Sequence, residues 1–427
     1  MPRIVVIGGG WAGCAAALAA AKAGAEVILL ERTDMLLGTG LVGGIFRNNG
    51  RFTAAEEAIA MGGGELFQLM DSVARHKNIE FPGHKHASLY DVRKIEPEVE
   101  KVLNKMGVKI LFQSRCIDVK MKNGKIVSVI LEDKTEISGD CFIDSTGTAA
   151  VPGNCIKYGN GCSMCILRCH TFKPRISIIE KAGVKEYVGK KADGTPGVLS
   201  GSCKLVKESL APNIQKELNE KGVVVISLPE ELIKPEKLGK KACVQYALRE
   251  YAENIVLLDT GPAKLMTSFF PLKELRSIPG FEYARYEDPL TGGIGNSVRF
   301  MAMAPRDNTL KVQGIDNLFC AGEKAGLQVG HTEAIVTGLL AGHNAVKAAL
   351  GMDLLEIPST TAIGDFISFV NKAIQTEEGL KNRYTFSGGL YFERMKKLGL
   401  YTTNIEEIRA RVEKSGLTNV FSKKLIK

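Results

Sequence analysis

The stretch from Arg3 to Glu31 constrains the fold more than any other. Ile4-Val5-Val6-Ile7 is a β-branched apolar run of the kind that forms a buried parallel strand. Gly8-Gly9-Gly10-Trp11-Ala12-Gly13 follows and supplies G-x-G-x-x-G through Gly8, Gly10 and Gly13. An alanine-rich segment from about Cys14 to Ala23 predicts a helix stopped by Gly24, and a second apolar run, Ala25 to Leu30, ends in Glu31. Gly8 permits the tight turn, Gly10 lets backbone approach a pyrophosphate, and Gly13 lets the helix pack close to the strand. The helix N-terminus then faces the phosphates, and Glu31 stands where a carboxylate accepts from ribose hydroxyls. The glycines alone would carry little weight. Strand, loop, helix, second strand and acidic residue in this order predict a unit that binds an adenine dinucleotide.

A chain of 427 residues has room for two or three domains, and 24% charged with 45% hydrophobic residues is an ordinary globular balance. The longest apolar stretch, Cys14 to Leu30, is interrupted by Lys22, Gly24 and Glu26. No other segment reads as a membrane span and the N-terminus lacks a signal-peptide layout, so a cytoplasmic, membrane-free protein is expected. The net charge of +9 (56 Lys+Arg against 47 Asp+Glu) suits an anionic partner. The lysines are scattered apart from pairs such as Lys190-Lys191 and Lys423-Lys424. That favours a generally basic surface over a dedicated nucleic-acid patch. A homo-oligomer is expected.

Beyond Glu31 glycines recur at Gly38, Gly40, Gly43, Gly44 and Gly50, a density that puts backbone close to a ligand. Helical spacing runs from about Ala54 to Arg75, interrupted at Met61 to Gly64, and His76, His84 and His86 read as solvent-facing residues of a polar loop. A helix is predicted over Asp91 to Met106 and a strand over Val108 to Phe112. A hairpin pairs Arg115–Met121 with Lys125–Leu131 across Asn123-Gly124. Cys141 to Gly147 reads as a strand ending on a glycine turn.

From about Ala150 to Arg306 short strands, helices and loops alternate. They include Ile176 to Ile179, Val223 to Leu228, a helix over Lys240 to Glu253 and a strand over Ile255 to Asp259. Gly292-Gly293-Ile294-Gly295-Asn296 falls in a late loop. Asn317 to Glu323 returns to the strand-then-glycine form, and Gly330-His331-Thr332-Glu333-Ala334 opens a helix to about Leu350. From Ile357 on the chain is helical and basic. The expected architecture is α/β. A Rossmann-like parallel-sheet domain (1–150 and 312–355) is interrupted by a mixed α/β substrate domain (151–311) and followed by a helical tail (356–427).

Three of these pieces together resemble the FAD-binding domain of the two-dinucleotide-fold flavoproteins: the glycine fingerprint, the strand end Asp144 to Gly147, and the strand–turn–helix from Phe319 to Ala345. The resemblance implies FAD rather than a nicotinamide cofactor, with the N-terminus of the last helix directed at the isoalloxazine. The cofactor residues expected are Gly8, Gly10, Trp11, Ala12, Gly13, Glu31, Arg32, Gly38, Thr39, Ile117, Thr146, Gly147, Gly322, Glu323, Gly330 and His331. His331 is also a catalytic candidate, since a histidine there could hydrogen-bond the flavin or a substrate. From about Leu272 to Leu400 the chain resembles the tRNA-modifying flavoenzymes. These are the folate- and FAD-dependent tRNA uracil methyltransferases and the larger enzymes that modify wobble uridine. Ile278-Pro279-Gly280-Phe281, Asn317 to Glu323, Gly338-Leu339-Leu340-Ala341-Gly342-His343-Asn344-Ala345 and Thr360-Thr361-Ala362-Ile363-Gly364 carry that likeness. Those enzymes carry a cysteine in the loop after the first two strands; here Gly38-Thr39-Gly40-Leu41-Val42-Gly43-Gly44 has none.

Cys155, Cys162, Cys165 and Cys169 form C-x6-C-x2-C-x3-C just past the Asp144 strand. Four thiolates on a tight loop suit an iron–sulfur cluster such as 4Fe–4S. Cys162 and Cys165 could instead cycle as a catalytic dithiol, and zinc held by all four is a third reading. Arg276, Arg285, Arg299 and Arg306 could grip an anionic substrate, and Cys320 reads as packing. The leading expectation is an FAD-dependent oxidoreductase that passes electrons between the flavin, this cysteine-ligated centre and a small molecule or carrier protein. An RNA uridine-modifying flavoenzyme and a non-catalytic flavin sensor are the alternatives.

Overall fold

The computed structural model describes residues 1–147, 172–173, 176–196, 198–200, 203–240, 244–267, 270–287 and 297–426. The elements that build the site are β1 (Arg3–Ile7), α1 (Trp11–Lys22), β2 (Glu26–Leu30), α2 (Gly50–Ala60), β3 (Lys109–Leu111), β4 (Cys141–Asp144), β5 (Leu318–Cys320), α3 (His331–Ala349) and α4 (Ala362–Ala373). The five strands form one parallel sheet in the order β5-β4-β1-β2-β3. Its central strands are covered on both faces, which is why they read as unbroken apolar runs. β5 arrives from far along the chain and pairs Phe319 with Ile143.

α1 begins at Trp11, earlier than the apolar pattern suggested, directly after the glycine turn. Ala15, Ala16, Ala17, Ala19 and Ala20 are wholly buried. A helix apolar all round must be covered all round, and α3 covers it. A Cβ at Gly338 would come within 2.2 Å of the Ala12 carbonyl, and one at Gly342 within 2.1 Å of the Ala16 carbonyl. Small residues on both helices let the two backbones approach this closely.

The inserted region holds a four-stranded antiparallel sheet in the order Cys203–Leu205, Ala263–Leu265, Asn254–Asp259, Val223–Ser227. It has a core of its own around Leu205, Leu218, Ile255, Leu257 and Phe281. At the sheet's end Asp259 receives Arg75 Nε (2.9 Å), His76 Nε2 (2.9 Å) and Lys207 Nζ (2.6 Å). The predicted hairpin is present, with Asn123 and Gly124 both at positive φ (51° and 74°), the pair of angles a two-residue hairpin turn needs. In the C-terminal region the buried Glu57 carboxylate accepts from the amides of Ala362 (2.9 Å) and Ile363 (3.0 Å), satisfying the open N–H groups at the start of α4.

Two local expectations are corrected. The histidines do not lie in a solvent-facing loop: His76 is in the strand Ala74–Phe81, and His84 and His86 are in its partner His84–Tyr90. His84 is 2% exposed, with Nδ1 3.0 Å from the Asn48 side-chain amide and Nε2 3.0 Å from the Gln245 carbonyl. The long helix over Lys240 to Glu253 is also absent. Its described part is a short turn at Val244–Tyr246 and one helical turn at Glu250–Glu253. Tyr246 and Tyr251 are drawn into a core with Phe81, Val256 and Leu258, and this packing overrides helical periodicity.

Candidate functional site

The ends of β1, β2 and β4 open into a cleft. Among its lining residues are Gly8, Gly10, Glu31, Arg32, Gly38, Thr39, Thr146 and Gly147. The three fingerprint glycines differ in what surrounds them. Gly8 turns the chain at φ +103°, where a Cβ would sit 2.7 Å from the Ser145 carbonyl oxygen. A Cβ on Gly13 would lie 1.8 Å from the Gly8 carbonyl, so helix and strand touch backbone to backbone there. A Cβ on Gly10 would meet nothing within 4 Å, because this glycine faces the open cleft. Glu31 holds the loop from the far side: Oε2 accepts from Gly9 N (2.8 Å) and Oε1 from Thr33 N (2.8 Å) and Thr33 Oγ1 (2.9 Å). A carboxylate retains further lone pairs after these bonds.

A second cluster gathers at the start of α3. Trp11 and Tyr90 lie with ring centroids 5.8 Å from that of His331. The loop Gly38 to Gly44 is pressed onto these rings. A Cβ at Gly40 would come 2.5 Å from Trp11 Nε1, and one at Gly43 would come 1.7 Å from His331 Cε1. At these two positions the loop has no room for a side chain of any kind. Buried Lys264 reaches from the inserted sheet to the carbonyls of Val42 and, at 2.7 Å, Gly43. Gly322 packs on Ala12 and donates its amide to Thr337 Oγ1 (2.9 Å), tying the turn after β5 to both helices.

These features fit a dinucleotide cofactor with a flavin at its far end. Gly10 leaves space for phosphate beside the positive end of α1. Thr332, wholly buried in the first turn of α3, has a hydroxyl with no hydrogen-bond partner among the described residues. An acceptor or donor on a bound ring would satisfy it.

Of the expected cofactor residues, Trp11, Ala12 and Gly13 form the buried first turn of α1 behind the cleft, and Gly322, Glu323, Gly330 and His331 belong to the region of α3. Ile117 is not among the cleft residues, whereas its neighbour Cys116 is, since strand alternation puts successive side chains on opposite faces. Burial pushes the Cys116 thiol up to about 12, and the Cys320 thiol likewise, so neither is a thiolate. Ser145, within the strand end Asp144 to Gly147, also lines the cleft, as do Ser114, Arg115 and Ile176, which carry no motif that would have identified them. Arg306 is not a substrate grip: it is 1% exposed and spends its guanidinium on the carbonyls of Ala325 (2.6 Å), Asp307 (2.9 Å) and Ile367 (3.0 Å). The window Cys155, Cys162, Cys165, Cys169 lies outside the described residues, as does the glycine loop at Gly292 to Asn296. Among the described residues no group of three or more His, Cys, Asp or Glu is placed to hold a metal ion. None of the described helices is long and apolar enough to cross a membrane.

Residues 3–152 match the family model described as FAD dependent oxidoreductase, and residues 234–353 match that of Glucose inhibited division protein A. The chain is similar to the methylenetetrahydrofolate–tRNA-(uracil-5-)-methyltransferase of Paramagnetospirillum magneticum, 34% identical over 102 residues, which is 24% of this chain and 22% of that protein. It is similar also to the enzyme of that name from Prochlorococcus marinus, 35% identical over 99 residues, 23% of this chain and 20% of that protein. The matches span about a fifth of the length of these relatives. Among solved structures, Aquifex aeolicus GidA in its form II crystal superposes with a TM-score of 0.65 at 18% identity, covering 97% of this chain and 76% of that one. The form I crystal gives 0.62 at 17% identity, covering 97% and 78%. Likeness at that identity is likeness of fold.

The curated relatives are by name tRNA-modifying enzymes, which overturns the expectation of an oxidoreductase passing electrons through a cysteine-ligated centre. Neither the matches nor the described residues support an iron–sulfur cluster or another metal. The chain thus has the fold of Aquifex aeolicus GidA, and it is similar over residues 3–152 to the FAD dependent oxidoreductases and over residues 234–353 to Glucose inhibited division protein A.

Proposed function

We propose that this protein is an FAD-dependent enzyme that modifies uridine in RNA. The match over residues 234–353 carries the reading. It spans the later part of the inserted region, β5 and all of α3, whereas the general flavoprotein match stops at residue 152. The identity with tRNA uracil methyltransferases points the same way. On this reading Gly8, Gly10, Gly13 and the start of α1 hold the pyrophosphate, and Glu31 receives the ribose. Arg32, Gly38, Thr39, Thr146 and Gly147 complete that cleft. Gly322, Glu323, Gly330, His331 and Thr332 serve the ring end. Bound FAD would supply hydride and electron transfer.

The chain's own residues orient and enclose. The Gly38–Gly44 loop, held by Lys264, walls off the start of α3, and His331 is the imidazole at that place. The loop offers no thiol, so no thiol-dependent step is assigned to it. The net charge of +9 supports a polyanionic partner. The test incubates flavin-loaded protein with unmodified tRNA and methylenetetrahydrofolate and reads the nucleosides by mass spectrometry. A flavin-dependent change at uridine, with RNA affinity that falls steeply with salt, is the expected result. Bound flavin with neither RNA affinity nor uridine modification would defeat the proposal.

A further inference from the structure

His331 opens α3 and packs against two aromatic rings, Trp11 and Tyr90, which meet each other edge-on at 6.1 Å. Tyr90 is wholly buried at the end of the strand His84–Tyr90 and is backed by Phe46 at 5.9 Å. Its hydroxyl oxygen lies 3.2 Å from the Gly40 carbonyl oxygen and 3.1 Å from His331 Nδ1. A phenol has one proton to give. Burial pushes its ionisation well up, so the proton stays on. The Gly40 carbonyl can only accept, so both contacts are made together only when the phenol donates to Gly40 and accepts from Nδ1–H.

We infer that Tyr90 is a positioning residue that holds His331 as the Nδ1–H tautomer and makes Nε2 the accepting nitrogen of the ring. Which nitrogen of a neutral imidazole carries the proton is set by the bond the other makes. Nε2 lies on the ring edge that faces Gly43, where a Cβ would stand 2.1 Å from it. The outcome is an accepting nitrogen at the start of α3, beside the glycine loop. There it can take a hydrogen bond or a proton from a group held at the ring end of the site. The inference rests on the proposed function only for the reaction so served.

The test is a long-range proton–nitrogen correlation spectrum of the protein as purified, labelled at its histidine nitrogens near neutral pH. The variant His331→Asn identifies the relevant signals among the six histidines. The wild type is expected to show His331 protonated at Nδ1 and bare at Nε2. In Tyr90→Phe, which keeps the ring packing and removes the hydroxyl, the preference should fall about tenfold, the worth of one hydrogen bond. A wild-type His331 carrying its proton on Nε2, or on both nitrogens, would overturn the inference, as would a folded Tyr90→Phe with an unchanged tautomer. If Tyr90→Phe does not fold, the wild-type spectrum alone decides. The measurement needs neither RNA nor turnover, so its failure is distinct from failure of the uridine-modification reading.

Discussion

Arg51 and Glu333, 282 positions apart in sequence, form a buried ion pair with Arg51 Nε 3.1 Å from both carboxylate oxygens. Arg51 Nη2 also donates to the Val329 carbonyl (2.8 Å) and to Thr385 Oγ1 (3.1 Å). Glu333 Oε1 accepts from Thr385 Oγ1 (2.7 Å) and Phe386 N (2.9 Å). One pair therefore fastens α2, the first turn of α3 and the C-terminal region together. Gly330 is glycine for the same reason: a Cβ there would lie 2.0 Å from both Arg51 Nη2 and Glu333 Oε2.

Breaking this pair from one side leaves a buried charge without a partner. Arg51→Met is expected to cost about 3–5 kcal/mol in urea denaturation. Arg51→Met combined with Glu333→Gln should cost less than the sum of the two single changes, because the second removes the charge the first exposed. Strict additivity would mean that the pair is not coupled.

Gly10 and Gly13 belong to the same motif yet should respond oppositely to alanine. Gly10→Ala meets no protein atom within 4 Å and has an ordinary negative φ of −70°, so the apoprotein should keep wild-type stability. Its FAD affinity should fall about tenfold or more, because the methyl group occupies the approach to the pyrophosphate. Gly13→Ala drives its Cβ to within 1.8 Å of the Gly8 carbonyl and should destabilise the apoprotein by about 1–3 kcal/mol or more. Thermal melts of the apoproteins and fluorescence titration with FAD separate the two effects.

His84 should make stability sensitive to acid. Its Nε2–H serves the Gln245 carbonyl and its Nδ1 accepts from the amides of Asn48 (3.0 Å) and Asn49 (3.3 Å), so a second proton would face donors only. Burial lowers its folded ionisation to about 3. The unfolded chain takes up the proton near pH 6.5, so the contribution is fully present above about pH 6.5 and declines as pH falls towards 3. By pH 5 the loss should reach about 2 kcal/mol. His84→Asn should show a lower plateau and a flatter acid limb in pH-dependent denaturation; an unchanged slope would refute the assignment.

Glu57 should act as the clamp on the C-terminal region. It bonds the first amides of α4 and receives Arg411 Nη1 at 3.2 Å. Glu57→Ala should cost about 1–3 kcal/mol through the stranded amides and guanidinium. In hydrogen exchange the Ala362 and Ile363 amides should lose protection before those of α1. Retained protection at both amides would show that Glu57 does not hold them.

What the sequence determined by itself was the local grammar. The strand, glycine turn and helix of Arg3 to Lys22 could be read directly, as could the Asn123-Gly124 hairpin and the run into α3, because each rests on periodicity or backbone angles set within a few residues. Eight of the expected cofactor residues line one cleft, since their positions at strand ends and in the glycine turn follow from that grammar. Tertiary structure decided the rest. His84 became a buried neutral base, Arg306 an anchor for carbonyls and Lys240 to Glu253 something other than a helix, because packing from distant segments outweighed local preference. The Arg51–Glu333 pair and the Tyr90–His331 contact join residues 282 and 241 positions apart. The sheet brought those side chains together, and no spacing in one dimension marks residues that only a common core makes neighbours.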